Sequence, residues 1–75
     1  MNELEMVRKL INEIVENKGV ESLKGITEST LLLDDLGFDS LDLAELTVRI
    51  EKETGIDVFA DGIVQTVGQV VKRIS

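Results

Sequence analysis

Three aliphatic stripes at helical spacing run along this chain, and little else in it can build a core. Leu4, Val7, Leu10, Ile11, Ile14 and Val15 share one face of an amphipathic helix. Lys9, Asn12, Glu13 and Glu16 take the other face, and Asn17-Lys18-Gly19 supplies a stop, with the glycine suited to the position after the C-cap. Leu43, Leu46 and Ile50 form the second stripe, with Ala44 and Thr47 on its flanks and Thr54-Gly55 at its end. Val67, Val70, Val71 and Ile74 form the third, opened by Thr66 as a cap and closed by Lys72 and Arg73, which suit the negative end of the helix dipole. Hydrophobic residues make up 43% of the sequence and aromatic residues only 3%, so the core is one of Leu, Ile and Val.

The connections are less regular. Residues 19–29 read as a loop, and residues 30–35 as a single helical turn whose leucines seal the core beneath a long connection. Residues 56–59 alternate weakly between apolar and polar, but a lone strand has nothing to pair with, so they read as an extended linker. Residues 60–64 read as a short, glycine-weakened third helix. The expected fold is all-α, a small four-helix bundle of three longer helices and one short one. The 75 residues of the chain suit a single domain spanning positions 1–75. A chain of this length buries only ~60% of its unfolded surface and has no room for a deep enclosed active site.

Composition excludes several kinds of chemistry. The chain has no cysteine and no histidine. A thiolate metal site, a thiol nucleophile and the commonest general base are therefore all missing. The formal net charge is −7, which makes nucleic acid and anionic membrane surfaces poor partners and a basic protein surface the natural complement. Met1-Asn2-Glu3-Leu4-Glu5 lacks the apolar run of a signal peptide, and no segment approaches transmembrane length. A cytoplasmic monomer is the expectation. Asp34, Asp35 and Asp39 do not have the spacing of a calcium-binding loop, so no metal site is expected.

One short run stands apart: Asp35-Leu36-Gly37-Phe38-Asp39-Ser40-Leu41. It places a glycine turn, an acid and a single serine directly before the second amphipathic stripe. Ser40 has three readings on position alone. It is a plain helix cap, or a nucleophile, which would need a base the chain does not contain, or an exposed acceptor of a covalent group. Asp39 suits a capping role that would leave the Ser40 hydroxyl free, and Gly37 gives the preceding turn its freedom.

This run resembles the phosphopantetheine attachment motif of the acyl carrier protein family. The similarity extends along the chain: an amphipathic first helix, a long leucine-bearing loop, Asp39-Ser40-Leu41 at the start of helix two and Thr66-Val67 opening the last helix. The resemblance implies that Ser40 carries 4′-phosphopantetheine, transferred from coenzyme A by a phosphopantetheinyl transferase. Gly37, Asp39 and Leu41 would complete the attachment motif, with Asp39 helping to place the transferase's metal ion. The arm's thiol would carry an acyl group as a thioester, which supplies the reactive sulfur that the chain lacks.

By the same resemblance, Asp39, Leu41, Asp42, Glu45, Val48 and Glu51 would meet the basic docking patches of acyl-loading and acyl-processing enzymes. The plainer reading of these acids is a solvated helix face. Leu46, Val58, Ile63 and Val67 would line an acyl pocket between helices, and they are core residues on either reading. Arg49 and Lys52 depart from the more uniformly acidic helix of carriers in fatty-acid synthesis, and residues 57–62 look more like carriers of specialised biosynthetic clusters. The expectation is an acyl carrier protein that is not itself an enzyme, serving fatty-acid, polyketide or related biosynthesis. The alternatives are an aminoacyl or peptidyl carrier, including a D-alanyl carrier, and a small acidic interaction module with no prosthetic group.

Overall fold

The computed structural model of the chain describes residues 2–19, 25–60, 62 and 64–75. The three stripes become three helices: α1 (Glu3–Asn17), α2 (Ser40–Thr54) and α3 (Val67–Ile74). Each has a side-chain cap at its start. The Asn2 carboxamide oxygen accepts the Glu5 N–H at 2.8 Å, and Asp39 and Thr66 open α2 and α3 with reciprocal capping boxes. α1 stands between the other two and packs against both. Its inward face, Val7, Leu10, Ile11, Ile14 and Val15, meets Leu46 and Ile50 of α2 and Val67 and Val70 of α3. Among the described residues no polar or charged side chain is buried.

The long connection before α2 closes one side of this core. The Arg8 side chain donates to the Ile26 carbonyl at 2.7 Å and ties the connection to α1. The expected helical turn is present. Asp35 and Leu36 N–H groups both donate to the Leu31 carbonyl, at 3.0 and 3.1 Å, and the Asp35 carboxylate accepts the Leu31 N–H at 2.8 Å. Only Leu32 of its three leucines seals the core, whereas Leu33 stays 55% exposed.

The same connection pairs briefly with the entry to α3. Leu31 and Thr66 form an isolated antiparallel bridge, flanked by Leu32 N–H to the Gln65 carbonyl at 2.9 Å and Val67 N–H to the Thr30 carbonyl at 3.0 Å. One residue further on, Gly68 N–H reaches the Glu28 carbonyl at 2.7 Å. A Cβ at position 68 would stand 2.8 Å from that oxygen, so the close approach requires glycine.

Between α2 and α3 one expectation is corrected and a second is not met by the described residues. Residues 56–59 are not an extended linker. The Asp57 carboxylate accepts the Phe59 N–H at 3.0 Å and folds the segment into a turn that places Val58 in the core. The short third helix over 60–64 is also not formed by the residues described there. Ala60 lies in the turn, and Gly62 has φ +124°, outside the helical region. Asp61 and Ile63 lie outside the described residues. Single-turn bonds from Ala60 N–H to the Asp57 carbonyl and from Gly62 N–H to the Phe59 carbonyl, both 3.2 Å, shape the segment. The Arg73 guanidinium ties it down, donating to the Val58 carbonyl at 2.6 Å and to the Gly62 carbonyl at 3.0 Å.

Candidate functional site

The chain reaches α2 through Gly37, whose φ of +69° is the left-handed conformation that glycine adopts without strain. The turn is closed by Gly37 N–H to the Leu33 carbonyl at 3.0 Å and Phe38 N–H to the Leu32 carbonyl at 3.1 Å. Phe38 is then buried against the core, which fixes the direction in which the next residues leave.

Asp39 is the N-cap of α2. Its Oδ1 accepts the Asp42 N–H at 2.9 Å, while Asp42 Oδ2 accepts the Asp39 N–H at 3.3 Å. Capping therefore falls to Asp39, and Ser40 becomes the first helical residue. Ser40 is exposed, and its hydroxyl has no hydrogen-bond partner among the described residues. The Ser40 and Leu41 N–H groups have no intrahelical partner and lie at the positive end of the helix dipole, which suits a phosphate beside them.

Beside Ser40 runs an open groove of about 590 Å³, lined by Leu33, Leu43, Ala44, Thr47, Val48, Asp57 and Phe59. The expected acyl-pocket residues that are described do not line it. Leu46, Val58 and Val67 are each 0% exposed in the closed core, and Ile63 lies outside the described residues. Leu43, Ala44 and Thr47 sit three, four and seven positions after Ser40, so the helical period counted from Ser40 itself points to them. Leu33 and Phe59 arrive from other segments, and no local pattern announces them.

The expected docking residues divide. Leu41 and Val48 are 77% and 66% exposed, and Glu51 faces solvent on the same helix. Asp42 is not the free surface acid expected from the sequence. Its carboxylate bonds Lys18 Nζ at 2.8 Å and is only 12% exposed. The Lys18 hydrogen bond, followed by capping contacts with Asp39, outweighs desolvation and holds the Asp42 carboxyl below its ordinary value. Lys18 is raised above its own ordinary value, chiefly by the same bond. Its ammonium also stands 6.0 Å from the centroid of the Phe38 ring. Glu45 lies 3.8 Å from Arg49, which itself bonds Glu13 at 2.9 Å. Lys18 reads in sequence only as part of a helix stop.

Among the described residues, no acidic cluster is placed to hold a metal ion, and no helix is long and apolar enough to cross a membrane.

The fold is small and all-helical, and it presents at a capped helix start an exposed serine whose hydroxyl has no partner among the described residues. The family model of the phosphopantetheine attachment site matches residues 7–74, and the chain belongs to that family. It is a phosphopantetheine carrier protein, and 4′-phosphopantetheine is its covalent prosthetic group. Carrier domains of this family are typically not catalytic themselves and work with a phosphopantetheinyl transferase and partner enzymes.

Proposed function

We infer that the arm is attached at Ser40 and that the chain is an acyl carrier protein without catalytic activity of its own. The observation that carries this reading is the exposed Ser40 hydroxyl at the first helical position, without a partner among the described residues, with its neighbour Asp39 doing the capping. Gly37 and Phe38 set the turn, Asp39 fixes the helix start, and Leu41 stands exposed beside the serine. When bound, the arm supplies a thiol that carries cargo as a thioester, chemistry the chain's own side chains lack.

The groove beside Ser40 supports an acyl cargo, because Leu33, Leu43, Ala44 and Phe59 give it an apolar lining. Leu46, Val58 and Val67 would admit a chain only by opening the core that they fill. The face of α2 that exposes Leu41, Glu45, Val48 and Glu51, together with Asp39 and the Lys18-paired Asp42, is the surface offered to the transferase and to acyl-processing enzymes. The chain acts as one domain, in the cytoplasm and as a monomer.

Incubation with coenzyme A and a broad-specificity phosphopantetheinyl transferase, followed by mass spectrometry, tests the assignment. The wild type should gain one arm, about 340 Da by its composition. Ser40→Ala should gain nothing while keeping its helical circular dichroism, since Asp39 still caps α2. Labelling that survives in Ser40→Ala, or moves to Ser29, defeats the assignment.

A further inference from the structure

The outward face of α2 carries two exposed apolar side chains, Leu41 and Val48, seven positions apart and so on one side of the helix. A shallow cleft between α1 and α2 runs beside them, lined by Asn17, Lys18, Leu41, Asp42, Glu45 and Val48. The acids of this cleft are not free. Lys18 bonds Asp42 at 2.8 Å, and Arg49 bonds Glu13 at 2.9 Å while lying 3.8 Å from Glu45. The chain carries a net charge of −7, yet here two of its own cations, Lys18 and Arg49, stand against Asp42, Glu13 and Glu45. Lys18 is held by two contacts, the Asp42 carboxylate and the face of the Phe38 ring, and remains 44% exposed. An approaching partner therefore meets a fixed cation where the sequence pattern shows an acid.

Resting on the reading of α2 as the docking face, we propose that Lys18 determines partner specificity there. As the internal counter-ion of Asp42, it favours enzymes that receive Leu41 and Val48 in an apolar cleft and disfavours enzymes that dock through a basic patch. A basic partner must displace Lys18 from a 2.8 Å contact and leave a like charge facing its own. It exchanges one ion pair for another, whereas an apolar cleft covers the ridge without disturbing the pair. Lys18 reaches the partner through Asp42, and is in that sense a positioning residue.

The test measures association of the unmodified chain, without coenzyme A, with a phosphopantetheinyl transferase whose docking surface is basic. Surface plasmon resonance over a range of NaCl concentrations gives the rates. Lys18→Met should associate about threefold faster than the wild type at low salt, with a steeper fall as salt rises. Lys18→Arg keeps a cation in reach of Asp42 and should restore wild-type rates. Lys52→Met removes the same formal charge from α2 and should gain less, which separates release of Asp42 from a general change in net charge. A Lys18→Met rate equal to that of the wild type or of Lys52→Met overturns the proposal, as does the absence of binding by every chain.

Arm transfer in the same preparations keeps the two readings apart. A wild type that takes the arm while Lys18→Met shows no change in association keeps the carrier reading and loses the counter-ion. A chain that takes no arm loses the reading of Ser40. The Asp42 carboxyl, followed by NMR titration, then still decides whether the pair exists. It should titrate at higher pH in Lys18→Met than in the wild type, and identical titrations overturn the proposal.

Discussion

A serine before a helix normally uses its hydroxyl to cap it, but here Asp39 takes the Asp42 N–H and leaves the exposed Ser40 oxygen without a partner among the described residues. Asp42 in turn serves three groups at once: its own N–H caps on Asp39, and its carboxylate accepts from Asp39 and from Lys18. The bond to Lys18 makes this corner pH-sensitive. Asp42, lowered in the fold, contributes stability above its unfolded-state value and loses it as pH falls through the folded value. Lys18, raised in the fold, contributes fully below its unfolded-state value and loses it as pH rises through the folded value. The pair therefore acts between the ordinary carboxylate and lysine ranges, roughly pH 4 to 10.4. Urea denaturation in acid, neutral and alkaline buffer should show a gap between the wild type and Lys18→Met that is widest near neutrality and closes at both ends. A constant gap would mean that the pair does not form. The Asp39-Ser40 corner was legible in sequence because a cap and its helix are neighbours. The Lys18 contact was not, because it joins positions 24 apart and depends on how α1 meets α2.

At the scale of elements, the helices followed from the period of their aliphatic residues, while the joints between them were decided by contacts that no short window contains. The turn at 57–60 answers to the Asp57 side chain and to Arg73, 15 residues away from Val58, so alternation at 56–59 misled toward an extended chain. Gly68 is a second such joint, since only the assembled fold brings the Glu28 carbonyl against α3. Gly68→Ala would set a Cβ 2.8 Å from that backbone oxygen. It should cost ~1–3 kcal/mol, the range of an overpacked contact. Gly25, where an added Cβ would meet nothing within 4 Å, provides the contrast. Gly25→Ala should be neutral or stabilise by ~0.4–1 kcal/mol through the unfolded state. Urea midpoints of both variants check the pair, and equal midpoints would show that α3 and the connection can part without loss.

At the scale of the whole molecule, a net charge of −7 on 75 residues sets the fold against its own repulsion. Screening shortens to about 8 Å at physiological ionic strength, so moderate NaCl should raise the melting temperature. Magnesium or calcium at equal ionic strength should do little more. A much larger gain from a divalent ion would reveal an oxygen-ligand site that the described residues do not assemble. Charge and composition made this behaviour legible without a structure, but the arrangement that must withstand the repulsion was not. α2 and α3 each lean on α1 and touch one another far less. In mechanical terms α1 is a spine and the other two helices are leaves hinged on it. Leu46 and Ile50 on one leaf and Val67 and Val70 on the other are fully buried, so lifting either leaf from the spine breaks the core. Among the described residues, the groove beside Ser40 takes its walls from α2 and from Leu33, Asp57 and Phe59 rather than from the spine, so a load laid in it would leave the three-helix core closed.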